Sequence, residues 1–408
     1  MADSTVGALN YKTAASSVMT PIANTKRKEV LVRMPALVGE ILEVSWDTTI
    51  KAAREKSAIA APHWKKGDKV EEDNQADAQK YPTGSKRPGV YLVKSKKGVD
   101  TLTVKINITK SEGQEPEAKL LARFAGLRLE GKCPTGLGAH DVKVTIHELP
   151  NTLQHYEGDV SWRLETSKMS LPLANKTRLE LFVVLDKPAT FYKEGVWVEA
   201  LRFVFKKAKV GGAKNPARIA ARIARYCHTG HGMKYETEFG EAQFEALSIG
   251  GPNFKLLGYM AKKGKTGNVV NCYDQAAAVQ ALSGATGTKL GWVFLNPYGY
   301  INKTNLVGIG ACNNPFFKGN GTKPVVDRLS ADRTAFGNHA FIANGTKILD
   351  ACAGPHLGTE TLRAYMESAI DVEVTMKALG APKAWKKADY WAYLEKLPNP
   401  LPGLTRVV

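Results

Sequence analysis

The sequence predicts an α+β protein in which an all-β, sandwich-like N-terminal domain precedes a domain of mixed helices and strands. Short runs of alternating apolar and polar residues between positions 29 and 205 are typical of antiparallel strands with one buried face. After Pro216, apolar residues recur at helical spacing. The dipeptide Asn344-Gly345 lies between two apolar runs, which is the strongest short-range signal for a β-hairpin.

Composition divides the chain into segments. The first residues are small and polar, as in a tail, and the last are rich in proline, which ends helices. A glycine pair and a proline before the first long helical pattern mark the main boundary. The apolar run 196–205 is predicted to be the last strand of the β-rich part. The predicted segments are a tail at 1–27, a β-rich domain at 28–208 suited to binding or targeting, a linker at 209–216, an α+β domain at 217–396 and a C-terminal tail at 397–408.

Composition also limits the classes of protein to which this chain can belong. The chain has 408 residues, of which 43% are hydrophobic and 8% aromatic, enough for two or three globular domains. It contains no run of about 18 apolar residues, so no transmembrane segment is expected. The N-terminus lacks the basic start and apolar block of a signal peptide. We therefore expect synthesis in the cytoplasm, with any secretion following a signal-peptide-independent route.

The net charge of +18 is carried more by the second half of the chain than by the first. Such a charge attracts anionic partners. The basic residues are dispersed, however, and no nucleic-acid-binding motif is present, so the sequence argues against a nucleic-acid partner. Arg218, Arg222 and Arg225 share helical spacing, and a solvated basic stripe is favoured over an anion-binding role for them.

The five cysteines are too few and too scattered for a disulfide framework. Cys227, His228 and His231 resemble half of a zinc site, but a second half with suitable spacing is missing. No metal and no cofactor is therefore predicted.

Cys272 is predicted to be the first residue of a helix. Asn271 is a suitable N-cap, and Asp274 is placed to bond the free N–H groups of the first turn and to oppose the helix dipole. A thiol at the positive end of a helix favours the thiolate, which is the nucleophilic form. Backbone N–H groups at the same helix end could bind a developing oxyanion. Cys272 is thus the candidate nucleophile.

The Asn344-Gly345 hairpin brings two further candidates together. If these two residues form the turn, opposed residues have a constant sum, which places His339 opposite Asp350 on the same face. Their Cβ atoms would lie roughly 4.5–5.5 Å apart, close enough for the carboxylate to hold the imidazole in one tautomer. With Cys272, this pair predicts a relay of nucleophile, base and orienting carboxylate.

In these residues the sequence resembles the transglutaminase-like branch of the papain-like cysteine enzymes. Members of that superfamily carry a Cys at a helix start, followed by His and Asp on successive strands. Residues 215–228 resemble the superfamily's leading helix, and residues 233–236 the strand-like segment after it. The resemblance covers roughly residues 215–365. It implies a papain-like, transglutaminase-like α+β catalytic domain with Cys272, His339 and Asp350 as its catalytic residues.

The resemblance implies amide-bond chemistry through a thioester. Peptide or amide hydrolysis, glutamine deamidation and crosslinking remain open, with a protein or peptide, including a peptidoglycan peptide, as the substrate. A β domain joined to a thiol enzyme in a leaderless basic chain is also similar to a secreted bacterial effector or toxin, which implies an inhibitor or immunity protein as partner.

The alternative is a non-catalytic binding or structural protein with a degenerate transglutaminase-like domain. In that case Cys272 is a buried packing residue, and His339 and Asp350 form only a stabilising cross-strand pair. His356 is the one rival base, but the hairpin geometry pairs no carboxylate with it.

Overall fold

The computed structural model describes residues 36–55, 57–68, 87–96, 100–113, 115–248, 251–397 and 403–408. The described residues belong to one compact unit. The tail predicted at 1–27 and the first predicted strand at 30–34 lie outside the described residues.

A large curled sheet dominates the first half of the described chain. Its strands and the short strands beside it are β1 (Leu37–Trp46), β2 (Ala52–Arg54), β3 (Ser57–Ala58), β4 (Trp64–Lys65), β5 (Gly89–Leu92), β6 (Thr101–Ser111), β7 (Glu117–Phe124), β8 (Leu127–Pro134), β9 (Gly138–His147), β10 (Gln154–Glu165) and β11 (Ser170–Val184). Nine of these described strands pair in the order β4-β1-β6-β9-β8-β7-β10-β11-β5. All neighbours are antiparallel except β5, which runs parallel to β11.

The sheet curls until its two sides approach each other. The side-chain amide of Asn175 on β11 accepts from the backbone N–H of Ile41 on β1 and donates to the Ile41 carbonyl, both at 2.8 Å. Alternate residues of each strand fill the interior, as Leu102, Val104 and Ile106 of β6 show. The described strands therefore enclose their core in one curled sheet and not between two stacked sheets.

Helices and short strands make up the second half. In chain order they are β12 (Val196–Trp197), α1 (Val198–Lys206), α2 (Pro216–Arg225), β13 (Lys234–Tyr235), β14 (Glu245–Ser248), β15 (Gly251–Phe254), α3 (Leu256–Ala261), β16 (Val269–Val270), α4 (Cys272–Ala285), β17 (Gly291–Leu295), β18 (Thr304–Leu306), β19 (Gly310–Cys312), β20 (His339–Asn344), β21 (Lys347–Asp350), β22 (Ala353–Gly354), β23 (His356–Thr361), α5 (Leu362–Ala369), α6 (Val372–Ala378), α7 (Lys387–Lys396) and β24 (Arg406–Val407). A π-helical turn, Tyr226–Gly230, continues α2. The mixed α and β content expected from the sequence is confirmed.

Four strands of the second half form an antiparallel sheet in the order β17-β20-β21-β23. Helix α4 packs against β20, and α5 packs against β21 and β23. Residues 403–408 are described, and Arg406–Val407 runs parallel to β15. No described helix is both long and apolar enough to cross a membrane.

Residues 198–205 of the run 196–205 form helix α1, and only Val196–Trp197 is a strand, so the prediction of one strand through the whole run is wrong. Residues Val198 to Phe205 are all buried, including Glu199 and Arg202. A short run that is apolar on every side has no period that separates a buried helix from a buried strand. The apolar core around α1 also contains residues of α2, α4 and the β17–β20 sheet, on both sides of the predicted linker at 209–216.

Glu180 and Arg202 form an ion pair inside the protein. The Arg202 guanidinium donates to both carboxylate oxygens of Glu180 at 3.0 and 2.6 Å, and Nε2 of His155 lies 2.9 Å from Glu180 Oε1. Burial alone would raise the pKa of Glu180, but the bonds from His155 and Arg202 lower it to about 2. The carboxylate therefore depends on these partners to stay ionised in the core.

Arg202→Met is expected to lower the free energy of unfolding by about 3–5 kcal/mol, because it leaves a buried carboxylate with one partner fewer. Guanidinium denaturation measures the loss. In the control Arg178→Met, the broken pair with Asp159 is 3.4 Å long and its side chains are 21% and 58% exposed. That change is expected to cost less than about 1 kcal/mol. Equal losses in the two variants would contradict the prediction.

Candidate active site

Helix α4 begins at Cys272, as predicted. The Asn271 side chain accepts from the Asp274 N–H at 3.0 Å, and Asp274 Oδ2 accepts from the Asn271 N–H at 3.2 Å, which completes a capping box. These bonds leave Cys272 in the first turn, at the positive end of a helix of 14 residues.

Asp274 also fixes the chain that surrounds the helix start. Its carboxylate accepts from the N–H groups of Gln243, Phe244 and Glu245 at 2.8, 2.8 and 2.9 Å. Burial raises the pKa of Asp274, and these backbone bonds oppose the rise. The sequence predicts bonds of Asp274 only within the first helical turn. The structure shows that its carboxylate also joins residues 243–245 to the helix N-terminus.

Tyr273 connects the helix start to the strand that carries His339. Its hydroxyl donates to Oδ1 of Asn338 at 2.9 Å. Asn338 directly precedes His339 at the start of β20. The residue after Cys272 is thus bonded to the residue before His339, which ties the start of α4 to the start of β20.

The hairpin that joins β20 to β21 has a different register from the predicted one. Asn344 pairs with Lys347 and Ile342 with Leu349, so the turn residues are Gly345 and Thr346. Gly345 has a φ of 61°, which suits the first central position of a type II′ turn. The prediction that His339 and Asp350 are directly opposed is therefore wrong. The register is displaced by two residues, which keeps both side chains on one face as diagonal neighbours.

His339 and Asp350 are nevertheless hydrogen-bonded. His339 Nε2 lies 2.8 Å from Asp350 Oδ2, a distance that a diagonal pair can bridge with a side chain as long as histidine. The Tyr365 hydroxyl donates to the same oxygen at 2.9 Å, and the N–H groups of Cys352 and Ala353 donate to Oδ1 at 2.7 and 3.2 Å. The Asp350 carboxylate is therefore fully bonded although it is buried.

Electrostatics hold this pair in its charged form. Burial alone would raise the pKa of Asp350, but the positive charge and hydrogen bond of His339 lower it. Burial alone would lower the pKa of His339, but Asp350, with a smaller contribution from the Cys272 side chain, raises it to about 10. An imidazolium between a carboxylate and a sulfur is thus favoured over a wide pH range.

The second nitrogen of the His339 ring is left for Cys272. Nδ1 is buried and has no hydrogen-bond partner of good geometry among the described residues. The Cys272 side chain is nevertheless close enough to the ring to raise the pKa of His339. Because Nε2 is held by Asp350, Nδ1 is the ring atom through which Cys272 can exchange a proton with His339. The structure brings the three residues singled out in the sequence into one site.

Aromatic rings enclose the imidazole. The Phe336 ring is stacked on His339 with its centroid at 4.9 Å, and the Tyr298 and Phe341 rings lie at 4.8 and 5.8 Å. Tyr298 and Tyr365 also share a hydrogen bond of 3.0 Å between their hydroxyls. Sequence reasoning missed both tyrosines, because neither lies near the Cys, His or Asp in the chain and no spacing rule links them.

The site is closely covered. Cys272 is 4% exposed, His339 0% and Asp350 1%. A cavity of about 380 Å³ lies at the neighbouring β13 and β16 strands, and Tyr235, Glu236, Val269 and Phe317 are among the residues that line it. One residue of its lining, Val269, is three positions before Cys272 in the chain.

His356 has a carboxylate partner, contrary to the prediction. Its Nδ1 lies 3.0 Å from Oε1 of Glu360, which is four residues further along β23. The positive charge of His356 contributes to the lowered pKa of Asp350, after the larger effect of His339. His356 lies opposite Asp350 on the neighbouring strand, and its own ring is held by Glu360, whereas the side chain bonded to Asp350 is that of His339.

The suspected zinc residues do not converge. His228 Nδ1 bonds to the Ala351 carbonyl at 3.1 Å, and His231 Nε2 bonds to the Tyr259 carbonyl at 2.8 Å. Elsewhere in the described chain, His155, Glu157 and Glu180 offer ligand atoms within 4.8 Å of one another. Arg202 and Lys206 already pair with those carboxylates. These cations make the group unsuitable for a metal ion.

Comparison with known proteins shows a likeness in structure and none in sequence. No protein-family model matches the sequence, and no curated protein matches it. The crystal structure of red sea bream transglutaminase is similar to this chain with a TM-score of 0.37 and 9% sequence identity. The match covers 65% of this chain and 49% of that one, so it extends over about half of the length of that transglutaminase.

Proposed function

We propose that this chain is a cysteine-dependent amide-bond enzyme that acts through a thioester on Cys272. The observation that carries the proposal is the arrangement of His339, whose Nε2 is held by Asp350 while its buried Nδ1 is free for the thiol. A thiol at a helix N-terminus, a base and an orienting carboxylate are the parts that nucleophilic acyl transfer needs.

The reaction follows from these positions. The Cys272 thiolate attacks the amide carbonyl carbon, and the oxygen takes the negative charge at the helix N-terminus. Protonated His339 gives its proton to the leaving amine as the C–N bond breaks, which leaves a thioester and a neutral imidazole. Water or an acceptor amine then attacks the thioester and gives its proton to His339. The acyl product leaves, and the thiolate–imidazolium pair is restored.

The substrate class we propose is a protein or peptide amide, including a peptidoglycan peptide. Hydrolysis, deamidation and crosslinking share the thioester and differ in which amine leaves and which nucleophile enters. A transglutaminase-type transfer and a peptidase therefore use the same residues. Action as a secreted bacterial effector or toxin, opposed by an immunity protein, is the biological role proposed with this chemistry.

A second candidate is a non-catalytic binding or structural protein. The observation that favours it is the 4% exposure of Cys272, because a nucleophile must meet its substrate. In that case the relay is a buried, hydrogen-bonded network that only stabilises the fold. The two candidates differ in whether the native thiol reacts with a small electrophile.

Iodoacetamide labelling across pH tests the proposal. At pH 6–7 we expect Cys272 to be alkylated at least about tenfold faster than the other four cysteines, because protonated His339 stabilises its thiolate. Burial raises the pKa of Cys133 to about 11 and of Cys227 to about 12, and it also raises the pKa values of Cys312 and Cys352. Peptide mapping by mass spectrometry gives the rate at each site.

Denatured protein is the control, since all five thiols should then react at similar rates. If native Cys272 reacts no faster than Cys133 while the denatured chain is fully labelled, the enzyme proposal is wrong and the non-catalytic candidate is favoured.

A further inference from the structure

A long stretch of the chain without acidic residues lies beside the relay. Between Glu199 and Glu236 the sequence contains no Asp or Glu. Its basic residues are Arg202, Lys206, Lys207, Lys209, Lys214, Arg218, Arg222, Arg225 and Lys234. Two of them have carboxylate partners elsewhere, Arg202 with Glu180 and Lys206 with Glu157.

The fold collects four of the remaining cations in one cavity. It has a volume of about 370 Å³ and is formed where the C-terminal end of α1 meets the C-terminal end of α2. Lys207, Lys209, Arg222 and Arg225 line it together with Tyr226 and Thr229. Of the described residues around this cavity, none is acidic, and none of the four cations pairs with a described carboxylate.

The guanidinium of Arg222 is held in place before any ligand arrives. Its Nη1 donates to the carbonyls of Lys209 and Gly211, both at 2.8 Å. These bonds use one edge of the group and leave Nε and Nη2 without a partner among the described residues. A fixed guanidinium with free donors loses little entropy when it binds an anion.

The dipoles of the two helices offset only part of the positive charge of these four cations. Each helix C-terminus carries about half a negative charge, so two ends offset about one unit of the formal charge of about +4. About three positive charges remain without compensation. A solvated stripe on α2 alone does not account for Lys207 and Lys209, which belong to the end of α1 and the segment after it.

We propose that this cavity is a binding site for a phosphate-bearing anion. A phosphate ester carries about −1.5 to −2 charges at pH 7, so two phosphate groups match the excess, whereas a carboxylate leaves most of it unpaired. Arginine and lysine together provide bidentate and point-charge contacts to phosphate oxygens. Thr229 adds a hydroxyl and Tyr226 a half-buried ring at the wall. The phosphate can belong to a soluble ligand or to a lipid headgroup.

Isothermal titration of the full chain with inorganic pyrophosphate tests the site. We expect wild-type protein to bind in 50 mM salt and the affinity to fall at 300 mM salt, as for other charge-driven binding. The variant carrying Lys207→Gln, Lys209→Gln and Arg225→Gln is expected to bind at least about tenfold more weakly. Arg222 is left intact because its carbonyl bonds support the loop. The matched control carries Lys143→Gln, Lys176→Gln and Arg123→Gln, exposed residues of the curled sheet, and should bind as wild type.

Two further arms identify the source of the phosphate. If vesicles containing phosphatidate bind the wild type and pyrophosphate displaces them, the ligand is a lipid headgroup; if they do not bind, it is soluble. The proposal is overturned if pyrophosphate does not bind, or if both triple variants lose binding equally. It is also overturned if vesicles or a single-stranded oligonucleotide bind in a way that pyrophosphate does not compete. Thermal melting without ligand checks that each variant is folded.

Discussion

Cys272→Ala is expected to reduce amide-bond turnover by about 10⁴-fold or more, because the variant lacks the thiol that forms the thioester. Helix α4 would keep its start, since the capping box is made by Asn271 and Asp274. The free energy of unfolding should therefore change little, in contrast to the activity. Ammonia release, peptide cleavage and crosslinking are measured side by side on protein and peptidoglycan substrates, for wild type and variant.

Cys133→Ala provides the matched control. Cys133 is buried on β8 of the curled sheet and has no contact with the relay. It is expected to keep wild-type turnover while losing some packing energy, of about 1 kcal/mol. Full activity in Cys272→Ala would remove the nucleophile from the mechanism. Equal loss in both variants would point to damage to the fold and not to the chemistry.

The start of α4 could be predicted from sequence because capping is local. Asn271 and Asp274 are three residues apart, and the bonds between them need only the first helical turn. The bonds from Gln243 to Glu245 that reach Asp274 could not be predicted in the same way. They join segments about 30 residues apart, and nothing in the spacing of that loop marks a partner.

The hairpin shows how a wrong register can still give the right pair. Asn-Gly suits both central positions of a type I′ turn, but here glycine occupies the first central position of a II′ turn and Asn344 ends the strand. The error moves the register by two residues, which preserves the face on which each side chain lies. His339 and Asp350 remain within reach because their side chains span the diagonal.

Sequence patterns do not predict the residues that hold the relay in place. Tyr365 comes from α5 and Tyr298 from the segment after β17, and they meet only when the sheet and helix pack. Helix α1 is a similar case, since burial on every side removes the period that identifies a helix. Local rules therefore singled out Cys272, His339 and Asp350, while packing selected the residues that hold them.

Asp350→Asn is expected to lower turnover by about 10²–10⁴-fold with the fold retained. The amide oxygen of asparagine can still accept from the Cys352 N–H, and its NH2 group can donate to the Tyr365 hydroxyl oxygen, so the strand geometry should survive. Without the carboxylate, burial lowers the pKa of His339, and the thiolate loses its imidazolium partner. Iodoacetamide labelling of Cys272 should therefore slow at pH 6. Unchanged labelling at pH 6 would show that Asp350 does not act through His339.

For the same variant we also predict how the free energy of unfolding depends on pH. The folded-state pKa of His339 is about 10 and exceeds its unfolded value of about 6.5. The contribution of His339 to the free energy of unfolding is therefore fully present below pH 6.5 and is lost as pH rises to about 10. Asp350 has a lowered pKa, so its contribution is present above its unfolded pKa and is lost as pH falls. The difference in unfolding free energy between wild type and Asp350→Asn should therefore be largest between about pH 4 and 6.5 and shrink toward pH 10.

Asp371→Asn distinguishes this effect from the loss of any buried carboxylate. Hydrogen bonds from Arg328, together with those from Arg333, lower the pKa of Asp371 to about 2. Its contribution is therefore lost only in acid and is constant from pH 6.5 to 10. Urea denaturation at several pH values should show a difference that shrinks for Asp350→Asn and stays flat for Asp371→Asn. Parallel curves for the two variants would mean that His339 is not held as an imidazolium by Asp350, and the proton that the mechanism gives to the leaving amine would have no source.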